Sequence, residues 1–137
     1  MKLTVKLLSM IVPLLGLPSC GDAQNDSIQT CDAHTFAKVI HAGAADTDSA
    51  AVTLVDVRTA GEYAAGHIPG ALNVDVLRDD FTEKAASLLP RNRCVAVYCR
   101  SGKRSLKAAA LLVRAGYKVI NLKGGWLEWK ADNLPTQ

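Results

Sequence analysis

The stretch Cys99-Arg100-Ser101-Gly102-Lys103-Arg104-Ser105 decides how the chain is read. It follows an apolar run, Val95-Ala96-Val97-Tyr98, that predicts a buried strand, and it leads into Leu106 to Ala115, whose Leu and Ala content and stop at Gly116 predict a helix. A cysteine therefore sits where a strand ends and a short polar loop turns into a helix. The unpaired N–H groups at that helix start face the loop, with the positive end of the helix dipole behind them. Gly102 permits the tight backbone that brings successive N–H groups round one centre, and Arg100, Lys103 and Arg104 add positive charge. Each feature favours thiolate over thiol, so Cys99 is expected to have a depressed pKa and to act as a nucleophile. The same features suit an anionic substrate. A lone cysteine after a strand is ordinarily a buried structural residue; the Gly-containing basic loop sets this one apart.

Working outward, the chain alternates strands and helices. Strands are expected at Ile28 to Thr30, Val52 to Val57, Ala71 to Val74, Cys94 to Tyr98 and Tyr117 to Leu122. Helices are expected from an Asp32 cap to about His41, over Ala60 to Ala65, from Asp79 or Asp80 to Leu89, after the Cys99 loop, and from Gly124-Gly125 onward. Gly43 to Ala50 is small and polar and reads as a loop. This alternation predicts an α/β domain with a parallel sheet covered on both faces. Ligands in such sheets bind at the carboxyl ends of strands, where Cys99 lies.

The amino-terminal residues are a separate matter. Lys2 and Lys6 precede an apolar run, Leu7 to Leu17, too short to span a bilayer, so residues 1–19 are expected to be a secretory signal. Leu17-Pro18-Ser19-Cys20 resembles a bacterial lipobox, in which Cys20 would be lipidated; cleavage after Ala23 is the alternative. The expected address is the bacterial cell envelope, with a membrane lipid anchor. Residues 20–27 read as a tether and 28–137 as one domain, expected to be a monomer. The full chain carries 16 Lys+Arg against 13 Asp+Glu; removing residues 1–19 takes Lys2 and Lys6 and no acid, leaving about +1. No basic run with interleaved aromatics supports nucleic-acid binding. The cysteine and histidine spacings match no metal site. Cys31 and Cys94 are either two free thiols, the favoured reading, or a disulfide that an oxidising compartment permits.

Several motifs now stand in one order: Asp56-Val57-Arg58, Glu62-Tyr63, Gly66-His67-Ile68-Pro69-Gly70-Ala71, Asn73, the Cys99 loop, and Gly124-Gly125-Trp126 with Trp129. Together they resemble a single-domain rhodanese, a thiosulfate sulfurtransferase-like protein, over roughly Ile28 to Pro135. The resemblance implies a three-layer α/β/α domain around a mainly parallel five-stranded sheet. It implies that Cys99 is catalytic, carrying sulfur as a persulfide, and that Arg100, Ser101, Gly102, Lys103, Arg104 and Ser105 hold the sulfur donor. Thiosulfate is the expected donor, a thiol or cyanide the expected acceptor, and no cofactor is implied. Asp56, Arg58 and Glu62 are expected to form a charge network at a strand end, with Asp56 and Arg58 supporting the loop. His67 is expected to tie loops together rather than act as a base, and Trp126 and Trp129 to pack.

Two other functions share these residues. Phosphatases and some arsenate reductases use a Cys and an Arg around an anion loop, with five residues between them; here four separate Cys99 from Arg104. The shorter loop suits one sulfur atom better than a phosphoryl group. A persulfide carrier for a partner protein would need the same cysteine.

Overall fold

The structure, a computed structural model, describes residues 28–45 and 52–137. The expected signal, the tether and the Cys20 lipidation site lie outside those residues. Among the described residues ten elements alternate: β1 (Ile28–Cys31), α1 (Ala33–Ala45), β2 (Val52–Asp56), α2 (Ala60–Ala65), β3 (Leu72–Asn73), α3 (Phe81–Leu88), β4 (Cys94–Tyr98), α4 (Lys103–Arg114), β5 (Val119–Leu122) and α5 (Gly125–Ala131). The sheet order is β1-β5-β4-β2-β3, and every pairing is parallel.

β4 lies at the centre, and all five of its residues are buried. Its period-two alternation divides the core. Val95, Val97 and then Cys99 face a cluster with Phe81, Ala85, Ala108, Ala109 and Leu112 from α3 and α4. Ala96 and Tyr98 face the opposite cluster, with Ala33 and Phe36 of α1 and Trp126 and Trp129 of α5. A strand buried on both faces has no use for polar alternation, which is why Cys94 to Tyr98 reads as a continuous apolar run. Because the strands are parallel, the ends of β2, β4 and β5 arrive at one edge of the sheet.

The largest departure from expectation is at α4. The helix begins at Lys103, not Leu106. No side chain caps it; Gly102, at φ 99°, makes the turn with its backbone, so the helix begins at the next residue. Arg104 and Ser105 thus belong to a helical turn and not to the loop. α1 runs on to Ala45, past His41 and into the expected loop, because alanine is a good helix former and two of them end the helix. β1 and α3 match expectation to within a residue or two, while β3 and β5 are shorter than expected. Beyond β3 the chain still follows β2, since Val74 N–H donates to Asp56 O and Val76 N–H to Val57 O.

The join between β5 and α5 closes this edge. A Cβ on Gly125, which sits at φ 62°, would lie 2.5 Å from Cys99 O and 2.6 Å from Arg100 O. Gly125→Ala should therefore cost about 2 kcal/mol or more and lower Tm by several degrees. Gly61, in α2, is the control: a Cβ added there would meet nothing within 4 Å. Gly61→Ala should be neutral or slightly stabilising in the same thermal melt. Equal melting of the two variants would show that the β5–α5 contact does not constrain the loop.

Candidate active site

Cys99 follows β4 directly and is 1% exposed. Gly102 N–H donates to its Sγ at 3.0 Å. The carbonyls of the loop point the other way: Trp126 N–H donates to Cys99 O at 2.8 Å, and Leu127 N–H to Arg100 O at 3.1 Å. The first amides of α5 thereby tie down the loop's acceptors, and its donors are left for the sulfur. Gly102 itself rests on the next strand's exit, where a Cβ would stand 2.1 Å from Lys123 O.

Burial raises the pKa of Cys99, yet its net shift is downward. The Ser105 hydroxyl and the backbone N–H groups of Ser105, Ser101 and Gly102 favour the thiolate and outweigh desolvation. The Ser105 hydroxyl also donates to Gly102 O at 3.0 Å. It has one proton, so the carbonyl and the sulfur compete for it. The agent of thiolate stabilisation is therefore the expected set of oriented donors, and of the expected contributors the three basic side chains are not among its causes. Arg100 and Lys103 are exposed, where water screens them.

Arg104 has a partner that the sequence did not assign to it. Its guanidinium makes a two-pronged pair with Glu62, Nη1 to Oε1 at 2.7 Å and Nη2 to Oε2 at 2.9 Å. It grips α2 with its fork, and its link to Cys99 is charge at a distance. Glu62 serves a second purpose: with Thr59 it forms the capping box of α2. The Arg104 hydrogen bonds, with help from Thr59, hold the Glu62 carboxyl down at about 2.

The charge network expected of Asp56, Arg58 and Glu62 is thus two separate units. Asp56 is fully buried and accepts from Arg58 N–H at 2.9 Å, from Arg58 Nη2 at 2.6 Å and from Tyr98 O–H at 2.8 Å. The Tyr98 hydroxyl oxygen in turn accepts from Ile68 N–H at 3.0 Å. Arg58 also donates to Gly66 O at 2.7 Å and lies 4.9 Å from the Trp126 ring centre. Burial, then the neighbouring carboxylate, pushes the Tyr98 phenol well above its ordinary pKa, so it remains a donor. Asp56 and Arg58 support the site by fixing the end of β2 against Tyr98, the residue before Cys99. Tyr98 has no motif of its own in the sequence; its place next to Cys99 in a strand parallel to β2 was the one available signal.

His67 ties as expected: its Nδ1 pairs with Tyr63 O at 2.9 Å, and its ring stacks on Tyr63 at 3.8 Å. Cys31 is a free, half-buried thiol pushed up to about 11 by burial, with Asp32 and Glu128 adding to the rise. The Cys31–Cys94 disulfide is not formed, and Cys94 is disulfide-bonded rather than free, so only half of the favoured two-thiol reading holds.

Known proteins share this architecture. Residues 35–132 match the rhodanese-like domain, and the chain belongs to that family. It is 44% identical over 92 residues to a sulfurtransferase of Allochromatium vinosum, a match covering 66% of this chain and 81% of that one. It is 36% identical over 93 residues to thiosulfate sulfurtransferase 16 of Arabidopsis thaliana, covering 61% and 78%. Among solved structures, the rhodanese-like domain of an Anabaena sp. protein superposes with TM-score 0.66 at 33% identity, covering 79% of this chain and 77% of that one. A rhodanese-related protein of Thermoplasma volcanium gives TM-score 0.66 at 26% identity, covering 80% and 97%.

Two measurements check the electrostatics. Ser105→Ala removes the largest of the thiolate-favouring groups, so the Cys99 pKa should rise. The acid limb of its alkylation by iodoacetamide should move to higher pH; an unmoved limb would leave the backbone amides as sole agents. The Glu62 carboxyl, lowered from 4.5 to about 2, stabilises the fold above its unfolded pKa, and that contribution is lost as pH falls through the folded one. Between those values Glu62→Gln should flatten the stability curve by no more than about 1 kcal/mol, because the pair is partly solvated. An unaltered acid limb in denaturant titrations would show that the pair contributes nothing.

Proposed function

We propose that the protein is a sulfurtransferase in which Cys99 takes a sulfane sulfur from thiosulfate or a related donor and passes it to a thiol or cyanide. The observation that carries this reading is the buried sulfur of Cys99 held among inward donors, with the loop's carbonyls bound by α5. The Cys99 thiolate attacks the outer sulfur of thiosulfate; the S–S bond of the donor breaks, and sulfite leaves with its electron pair. The outer sulfur stays as a persulfide anion, which the N–H groups of Ser101, Gly102 and Ser105 and the Ser105 hydroxyl stabilise as they do the thiolate. Cyanide then attacks that outer sulfur, the Cys99–S bond breaks, and thiocyanate leaves with the thiolate restored. Exposed Arg100 and Lys103 attract the donor dianion.

The Arg104–Glu62 pair supports this over phosphoryl chemistry. A phosphoryl group needs an arginine fork on its oxygens, and Arg104 has its fork on a carboxylate. A second reading, a persulfide carrier that turns over only with a partner protein, draws support from a Bacillus subtilis relative described as a putative sulfur carrier protein, 35% identical over 85 residues. This chain spans 44% of that relative.

Cys99→Ser should abolish the sulfur adduct in the intact mass after thiosulfate and the production of thiocyanate, with the thermal melt nearly unchanged. Cys31→Ser should keep both, because its thiol is mostly protonated at neutral pH. Wild-type protein that gains one sulfur but forms no thiocyanate would favour the carrier. Thiocyanate formation at the wild-type rate in Cys99→Ser would end the assignment.

A further inference from the structure

The Cys99 loop occupies one edge of the sheet, and the opposite edge has a character of its own. Because every pairing is parallel, Ile28 stands beside Val119 and Val119 beside Val95, so β1, β5 and β4 all enter the sheet at that opposite edge. α3 ends there at Leu88, and α4 at Arg114. The loops that follow these helices are knit together. The Tyr117 hydroxyl donates to Leu89 O at 2.8 Å, and Val95 N–H donates to Lys118 O at 2.9 Å. The Arg91 guanidinium donates to Ala115 O and lies 4.9 Å from the Tyr117 ring centre. The two loops therefore form one surface.

That surface is basic. Arg91, Arg93, Arg114 and Lys118 are all exposed, and none is in an ion pair among the described residues. Arg91 and Arg114 have a local use, since cations suit the carbonyl end of α4. Arg93 and Lys118 stand one residue before β4 and β5. Leu88, three residues before Arg91, is 48% exposed and adds an apolar contact. Among the described residues no acid belongs to these loops. Asp79, Asp80 and Glu83 stand at the far end of α3, and Glu128 and Asp132 go with α5, which packs on the other face of the sheet. Asp46 and Asp48, between α1 and β2, lie outside the described residues.

The same edge is where the chain enters the domain. Ile28 follows residues 1–27, which hold the apolar run Leu7 to Leu17, and residues 18–27 reach at most about 35 Å when fully extended. Resting on the export segment read from those residues, we infer that the face formed by Leu88, Arg91, Arg93, Arg114 and Lys118 rests on an anionic lipid surface. A chain held at a membrane through that segment brings this edge of the sheet to it first. Basic side chains then supply the second attraction that a single anchor needs. β4 separates this face from Cys99 by roughly 17 Å, at about 3.3 Å per residue. The sulfur therefore faces away from the lipid, toward reactants arriving through water. The inference does not depend on what Cys99 carries.

The test places the full chain on vesicles of phosphatidylcholine, with and without phosphatidylglycerol. Its lysines are acylated briefly, and the modified positions are read by mass spectrometry. Lys118 should react about fivefold more slowly on the anionic vesicles than on the neutral ones. Lys103 and Lys107, at the start of α4, should react alike on both. Added salt should remove the protection of Lys118, because the attraction is one of charge. Arg93→Gln combined with Arg114→Gln should reduce that protection to less than about twofold, with the thermal melt checked in parallel. Arg93→Gln alone, which leaves the end of α4 intact, should weaken it in the same direction, and Arg93→Lys should restore it. Equal protection of Lys118 and Lys103, protection that is the same on neutral vesicles, or protection unchanged in the Gln variants would overturn the inference. So would a chain that binds neither vesicle. Protection of Lys118 by heparin but not by anionic vesicles would assign the face to a soluble polyanion and overturn it equally.

Discussion

The site depends on the bond from Trp126 N–H to Cys99 O, reinforced by that from Leu127 N–H to Arg100 O. A peptide group that turns its N–H inward must turn a C=O outward, and an outward C=O buried against the next element needs a donor. The start of α5 is a row of N–H groups without helical partners, and so it supplies those donors. One contact thus satisfies two sets of orphaned backbone groups. It also explains why glycine stands at both 102 and 125: each lies at positive φ, with another backbone closer than a side chain would permit.

Around that contact the charged groups act as fasteners more than as reagents. The Asp56–Arg58–Tyr98 unit joins β2 to β4 beneath the loop, and Glu62–Arg104 joins α2 to α4 beside it. Breaking a buried pair such as Asp56–Arg58 by truncating one partner leaves an uncompensated charge, at a cost of about 3–5 kcal/mol. Glu62–Arg104 is half-buried and weaker, but its geometry is what withdraws an arginine from the anion loop. The Cys99 thiolate does without that guanidinium, since its charge sits on one atom that close amides reach.

Arg100 and Lys130 contrast with these fasteners. They are exposed and free of carboxylates among the described residues, and they border a cavity beside α5 rather than the sulfur. A division follows between donors that stabilise sulfur anions, all from the β4–α4 backbone and Ser105, and cations that meet whatever approaches from solvent.

Much of this was legible in the sequence, because it is local. The Val95 to Tyr98 run marks a strand buried on both faces, the β-branched Val52 to Val57 run marks another, and alternation with helices implies a parallel sheet. With it comes the strand edge where Cys99 must lie. Gly102 after Cys99 announces a tight turn. What the sequence could not decide is which long side chains meet. Arg104 is five residues from Cys99 and 42 from Glu62, yet its fork goes to Glu62, because α2 and α4 are brought together only by the sheet. Tyr98 reaches Asp56 and the Trp126 amide reaches Cys99 O for the same reason: the partners are distant in the chain and adjacent only once parallel strands are stacked in register. The balance of thiolate stabilisation was decided there too. The sequence points both to a helix start with its N–H groups and to three cations, and only the tertiary fold aims the donors of Ser101, Gly102 and Ser105 at the sulfur while leaving Arg100 and Lys103 in solvent.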